Sequence, residues 1–394
     1  MEERFFATCP RGLERVLAGE LAALGARQVE PVEGGAAFAG EPALCYAVNL
    51  ESRVASRVLW RVGGARYRDE HDVHDAARAL DWPRLFDLRR TIRVNVAAIR
   101  SPVKSLDFVT LRVKDAVCDA FRAARGARPD VDTQSPDVRI HVFLTRDEAT
   151  FYLDTSGEAL FKRGWRIAAG EAPLRENLAA GILKLAGWAP PTPLFDPMCG
   201  SGTFLVEAAM MALDIAPGLN RSFGFEKLAG YDAQRWRALR EAARARCMPV
   251  RTLPIHGSDR SARALAAARE NLSSAGIEGA VRLGQADALE AAPPCAEPGV
   301  LVMNPPYGER LAEKAALAAF YPKLGDALKR RFAGWTAYIL TADFELPKRI
   351  GLKASRRTPL YNGALECRLL EYRLVAGSLR RGKAPAAVGA ERRQ

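Results

Sequence analysis

Two segments hold the residue types best suited to chemistry. Leu194-Phe195-Asp196-Pro197-Met198-Cys199-Gly200-Ser201-Gly202-Thr203 reads as a short apolar strand ending on an acid, then a Gly-x-Gly turn, then a helix continuing through Leu205, Val206, Ala208, Ala209 and Met210. Gly200 and Gly202 let the backbone pass close under a ligand, and the helix N-terminus offers N–H groups and partial positive charge. The turn is not Gly-x-Gly-x-x-Gly, so a dinucleotide is disfavoured; taken alone it can equally be a tight connection. The second segment, Val300-Leu301-Val302-Met303, runs into Asn304-Pro305-Pro306-Tyr307-Gly308. Pro305 and Pro306 fix φ and remove two N–H donors, leaving carbonyl oxygens with little competition. The Asn304 amide oxygen and the Pro305 carbonyl can both accept hydrogen bonds from a planar exocyclic amine, localising its lone pair toward an electrophilic methyl. Asn304 is then no Brønsted base, because methylation itself acidifies the departing proton. Tyr307 suits stacking on a base taken out of its helix. A Pro-Pro turn closed by a packed tyrosine is the structural alternative.

Two further carboxylates follow predicted strands. Asp259 comes after Leu253–His256 and can accept the two hydroxyls of a ribose; Asp287 comes after Val281–Leu283, where an adenine edge can be held. Either can instead be an ordinary surface or cap residue, Asp259 standing just before Ser261. His71-x-x-His74 has helical metal spacing but no accompanying cluster, so both histidines are read as solvated and no metal is expected. Cys199 has no evident histidine partner, and an amine acceptor needs no covalent intermediate, so it is read as packing.

The elements that must position these residues fall into two halves. The chain has 394 residues, enough for two or three domains, and its 48% hydrophobic and 26% charged residues are close to globular averages. It lacks an apolar run of membrane-spanning length, opens on an acidic Met-Glu-Glu-Arg, and scatters seven cysteines without a CxxC pair; a reducing cytoplasm is expected. In the first half we expect a strand over Arg4–Ala7, a helix over Pro10–Leu24, a strand over Thr91–Val96, a helix over Ser105–Arg125 and a hairpin of Val138–Leu144 with Thr150–Leu153. The second half alternates helices with short strands at Leu194–Phe195, Leu253–His256, Val281–Leu283, Val300–Met303 and Thr336–Leu340, and closes with Leu352–Arg357 and Cys367–Val375. That alternation implies a doubly wound parallel sheet. Between Gly202 and Asp259 lie far more residues than a minimal crossover needs, so Asp214–Cys247 should add helices with Trp236 and Leu239 on one face.

Charge is uneven. The net charge is +12, yet residues 1–160 hold 23 basic against 24 acidic residues. A basic surplus invites a polyanionic partner. Within the neutral half, Arg84–Arg128 concentrates cations including Arg93, Lys104, Arg112 and Lys114, the best footprint for RNA, although part of it can be ordinary helix-surface charge. Phe161-Lys162-Arg163-Gly164-Trp165-Arg166 mixes cations with aromatics, which suits RNA near the site; Trp165 is equally a domain-interface anchor.

Asp196–Thr203 together with Asn304–Tyr307 resembles motifs I and IV of class I S-adenosylmethionine-dependent amino-methyltransferases. FDPMCGSGTFLVEAAMMALDIAPG and MNPPYGERL, with FFATCPRGLE, LRVKDAVCDAFR and LDTSGEALFKRGWR, resemble the bacterial THUMP-containing 23S rRNA guanine-N2 methyltransferases over nearly the whole chain. The resemblance implies a ferredoxin-like piece (1–50), a THUMP RNA-binding domain (51–160), a Rossmann-like α/β methyltransferase domain with a doubly wound seven-stranded sheet (161–376) and a basic disordered tail (377–394). It implies S-adenosylmethionine held by Arg175, Asp196, Pro197, Gly200, Gly202, Asp259, Asp287 and Asn304, with Arg175, in the Ala172–Leu178 segment, meeting the methionine carboxylate. Catalysis would fall to Asn304, Pro305, Pro306 and Tyr307, and RNA contact to Arg93, Lys104, Arg112, Lys114, Arg163, Trp165 and Arg166. The implied partner is 23S rRNA or a large-subunit assembly intermediate. Alternatives are tRNA guanine-N2 methylation, DNA adenine-N6 methylation and a non-catalytic assembly factor. Many relatives in this family carry a second methyltransferase domain; only one is read here, so a second activity is not expected.

Overall fold

The computed structural model describes residues 2–167, 174–306 and 311–375; Tyr307, Gly308, Ala172, Pro173 and the tail lie outside them. Fourteen strands among these residues form two seven-stranded sheets. The first comprises β1 (Glu3–Thr8), β2 (Arg27–Val32), β3 (Gly35–Gly40), β4 (Arg57–Arg66), β5 (Ile92–Ala98), β6 (Val138–Leu144) and β7 (Glu148–Asp154), ordered β2-β3-β1-β4-β7-β6-β5. Only β5 and β6 pair in parallel. The long strand β4 joins the two parts, pairing with β1 through Arg57–Trp60 and with β7 through Leu59–Arg66.

The second sheet comprises β8 (Leu194–Asp196), β9 (Ile255–Asp259), β10 (Arg282–Gln285), β11 (Val300–Met303), β12 (Thr336–Thr341), β13 (Arg356–Asn362) and β14 (Leu365–Arg373), ordered β10-β9-β8-β11-β12-β14-β13. Strands β8 to β12 are parallel, and β14 returns antiparallel beside β12. The chain order reverses at β8, which sits between β9 and β11; ligands of such sheets bind outside the carboxyl ends at that switch point. This is the doubly wound α/β fold that the alternation implied.

Three apolar cores hold the molecule. One belongs to the β5–β7 half of the first sheet, around Phe86, Val113, Phe121 and Phe151. Another fills the face of the second sheet that packs against Leu311–Arg331, around Leu301, Tyr321, Leu324 and Tyr372. The largest is shared between the halves: Leu13, Leu17 and Leu21 of the first helix lie in one cluster with Leu178, Ile182, Phe204 and Leu205.

Several element boundaries differ from the reading above. The first helix is Glu14–Ala23, not Pro10–Leu24, because Gly12 takes a left-handed φ of +91° and Leu13 N–H donates to the Pro10 carbonyl, so residues 10–13 form a turn. The strand expected over Leu352–Arg357 lies at Arg356–Asn362: the tight turn at Gly363 pairs Asn362 with Leu365 and sets the register. Pro359 is tolerated there because β13 is an edge strand. His74 is buried rather than solvated, with Nδ1 at 3.0 Å from Asp75 Oδ1, while His71 is exposed. The Asp214–Cys247 insertion contributes the 3₁₀ turn Gly224–Lys227 and the helix Ala233–Arg246, which buries Trp236 and half-buries Leu239.

Candidate active site

Four adjacent strands, β10-β9-β8-β11, end on the same side of the sheet and carry Asp287, Asp259, Asp196 and Asn304 at or just past their tips. At the usual strand spacing these tips span about 14 Å, the reach of an extended nucleoside conjugate. Parallel register sets Asp196 opposite Gly257 and Asp259 opposite Gln285. Leu301 lies opposite Phe195, so Asn304 projects beyond the level of Asp196 by about two residues, or about 7 Å.

Asp196 is 2% exposed, and Met198 N–H donates to its Oδ1 at 3.1 Å. Burial, reinforced by the nearby Asp259 carboxylate, pushes its pKa up to about 8 against the lowering effect of that one hydrogen bond. Such a carboxyl is poised for a cationic neighbour, which would restore its charge. Pro197 is buried behind it. The following turn is fastened to β9: Cys199 N–H donates to the Ser258 carbonyl at 3.0 Å and Gly200 N–H to Asp259 Oδ2 at 3.0 Å. Gly200 and Gly202 have φ of +52° and +80°, a region that glycine enters at little cost. They are small for different reasons. A Cβ on Gly202 would stand 3.2 Å from the Ala268 Cβ, whereas one on Gly200 would point into open space beside the strand tips. The Cys199 thiol is buried and held well above its usual pKa, consistent with packing and not with a nucleophile.

Asp259 also accepts Ser261 N–H at 2.9 Å, so it braces the turn on one oxygen and its own loop on the other; the cap of the next helix is Ser261. Ala286 N–H donates to the Asp259 carbonyl at 3.2 Å, and Asp287 accepts Leu289 N–H at 2.8 Å, which brings Asp287 beside Asp259. Pro305 is buried and Pro306 exposed at the end of β11. Arg175 opens the helix Glu176–Leu185, exposed, with its guanidinium carbon 4.8 Å over the Phe161 ring.

Of the three residues of this run assigned above to RNA, Arg163 and Arg166 make intramolecular bonds instead, and Trp165 takes the interface-anchor role that was its alternative. Arg163 is 3% exposed; its Nε donates to Glu207 Oε1 at 3.2 Å and its Nη atoms to the carbonyls of Leu160 and Arg53. Trp165 is 4% exposed and belongs to the shared core. Arg166 donates to Glu176 Oε1 at 2.7 Å, the Leu174 carbonyl at 2.9 Å and Thr203 Oγ1 at 3.1 Å, with Ser201 Oγ at 3.5 Å. Asn271 completes the clamp, accepting Ile167 N–H and donating to the Ser201 carbonyl, both at 3.0 Å. Sequence reading missed Asn271 altogether, since an asparagine within a helix carries no signal of its distant partners. In the first half Lys104 is exposed, Arg112 is half-buried, Arg93 is bound to the Thr133 carbonyl at 2.6 Å, and Lys114 pairs with Asp115. Beside Lys104 the helix Leu106–Arg125 exposes Phe108 and Leu111.

Residues 163–371 match the RMKL-like methyltransferase domain, 67–154 a THUMP domain, and 4–59 the RlmL ferredoxin-like domain. The chain belongs to the RMKL-like methyltransferase family. Methyltransferases of this family use S-adenosylmethionine as donor. A Synechocystis protein named as a candidate RNA methyltransferase is 39% identical over 94% of this chain and 96% of its own length. The ribosomal RNA large subunit methyltransferase K/L of Syntrophotalea carbinolica is 43% identical over 94% of this chain but 53% of its own length; this methyltransferase spans about half the length of its K/L relatives. Among solved structures, SMU.472, a candidate methyltransferase complexed with S-adenosylhomocysteine, superposes with a TM-score of 0.83 at 31% identity, covering 96% of this chain and 99% of that one. The tip residues fit such a cofactor: Asp196 suits a cationic group, the open side of Gly200 suits close approach, and Asp259 suits ribose hydroxyls.

Among the described residues no group of three or more His, Cys, Asp or Glu is placed to hold a metal ion, and no helix is long and apolar enough to cross a membrane.

Proposed function

We propose that this methyltransferase converts a guanine of 23S rRNA to N2-methylguanosine. The observation that carries the reading is the position of Asn304 and Pro305 at the tip of β11, next to the Asp196 tip of β8 and beyond it. Two carbonyl-type acceptors side by side match an exocyclic amine, which has two N–H donors to give. They match guanine N7 poorly, because that nitrogen has an in-plane lone pair and no hydrogen, and would face the acceptors' own lone pairs. Support for ribosomal RNA comes from the K/L relatives and the THUMP domain.

When bound, S-adenosylmethionine supplies an electrophilic methyl on a cationic sulfur. Asp259 would hold the ribose hydroxyls, Asp287 the adenine edge, Arg175 the methionine carboxylate, and Asp196 would face the cationic end. Asn304 and Pro305 would fix the target amine, and Tyr307 would stack on the flipped base. The hydrogens of that amine rest on Asn304 Oδ1 and the Pro305 oxygen; once the nitrogen is methylated its surplus proton is acidic enough to leave to water without a strong base. Most of the rate then comes from positioning.

The test is methyl transfer from labelled cofactor to protein-free 23S rRNA, total tRNA and duplex DNA, with nucleoside mass spectrometry of the products. N2-methylguanosine in 23S rRNA is expected. N7-methylguanosine would overturn the amine reading, and label confined to tRNA or DNA would overturn the substrate.

A further inference from the structure

The helix Ala233–Arg246 of the insertion carries five arginines, and the structure divides them into two groups. Arg235 pairs with Glu41 at 3.0 Å, and Arg246 with Glu51 at 2.7 Å and Asp214 at 3.3 Å; these fasten the helix to the body of the protein. Arg237, Arg240 and Arg244 recur at i, i+3 and i+7, on one face, and make no ion pair among the described residues. That face borders a cavity of about 200 Å³ whose wall also includes Tyr231 and Trp236. Trp236 is 3% exposed, yet its Nε1 has no acceptor among the described residues, and the buried Nε of Arg240 has none either. Arg240 lies with its guanidinium carbon 5.5 Å over the Trp236 ring and spends one Nη2 hydrogen bond, at 3.3 Å, on the Leu219 carbonyl.

Both nitrogens are shielded from solvent and the Trp236 ring packs edge-to-face against Tyr46, Phe223 and Phe225, so what the cavity offers a ligand is the charge and donors of the guanidinium ends. Two carboxylates also line the wall. Glu226 accepts Phe223 N–H at 2.8 Å and keeps its charge, so Glu226 and Glu241 stand against three guanidiniums and leave one positive charge in excess. The surplus of donors and positive charge selects an anion with several oxygens, and the partly exposed Tyr231 ring offers a stacking face. We infer that this cavity seats a phosphodiester unit of the RNA substrate, a foothold on the catalytic half separate from the strand tips. The inference rests on the RNA reading above. It gives the insertion a task that the fold itself does not demand.

The experiment uses the full chain, an Arg237→Gln/Arg244→Gln variant and an Arg237→Lys/Arg244→Lys variant. Equilibrium binding to protein-free 23S rRNA is followed across a potassium chloride series. The glutamine pair is expected to weaken binding about tenfold at low salt and to flatten the plot of log K against log salt by about one unit. The lysine pair should retain most of the slope, and both should keep wild-type cofactor affinity and thermal midpoint. Unchanged affinity and slope in the glutamine pair overturn the proposal. Inorganic phosphate and guanosine monophosphate are run as separate probes. Stabilisation of the wild type by either, lost in the glutamine pair while 23S rRNA binding is unaffected, would assign the cavity to a free phosphate ligand and overturn the RNA assignment. A wild type that binds cofactor but no RNA would sink the RNA reading itself.

Discussion

Asp196 and Asn304 stand on neighbouring strands but test different parts of the chemistry. Because the Asp196 carboxyl is raised to about 8, the folded chain keeps a proton there that the unfolded chain gives up near pH 4. Stability should therefore decline as pH rises from about 4 to about 8, by at most about 1.4 kcal/mol per unit from this residue. Urea unfolding of the wild type and Asp196→Asn across that range checks the sign: the wild type should lose ground to the variant as pH rises. Cofactor affinity should move the other way, strengthening in the wild type through pH 8 and losing that dependence in the variant. At saturating cofactor, Asn304→Ala should lower the single-turnover methyl-transfer rate by about 10²-fold, a typical loss for one well-placed hydrogen bond at a reacting centre. A wild-type rate in that variant would remove Asn304 from the chemistry.

At the scale of elements, the glycine turn depends on a segment that enters from the first half of the chain. Arg166 and Asn271 tie Ile167, Ser201 and Thr203 together, so the turn's conformation is set by contacts it does not itself contain. Arg166→Gln and Thr203→Val should each weaken S-adenosylhomocysteine binding by about tenfold, measured calorimetrically. The double variant should be little worse than Arg166→Gln alone, since Thr203→Val removes only one of the four contacts that Arg166 makes; additive losses would show that they act separately. This clamp also marks where sequence reading stopped. The strands that lead to Asp196 and Asn304 were legible because apolar runs, glycines and prolines act locally. The roles of Arg163 and Arg166 were not legible because a window of cations looks alike whether it faces solvent or meets Glu207 and Glu176 from elsewhere in the chain. The helix start at Glu14 was missed for a local reason, Gly12 breaking a pattern that hydrophobic spacing alone would have continued.

For the whole molecule, the shared core and the continuous first sheet bear on how the chain holds together. Leu13, Leu17 and Leu21 pack in one cluster with Leu178, Ile182 and Phe204, so the catalytic half completes its core with residues from the start of the chain. A fragment beginning at residue 161 should accordingly bind a hydrophobic dye and melt broadly, where the full chain gives a cooperative transition by calorimetry. A sharp, dye-free transition in the fragment would show that the catalytic half folds alone. Strand β4, hydrogen-bonded to β1 on one side and to β7 on the other, makes a single slab of the first sheet. On the proposed substrate the slab, tied to the catalytic half through the shared core, would act as a ruler: RNA gripped on the first sheet and the guanine presented at the strand tips of the second would be separated by a fixed span. Lengthening the intervening RNA helix by one base pair moves the target by a rise and a rotation that the protein cannot follow, so the choice of nucleotide would be made by distance as much as by base identity.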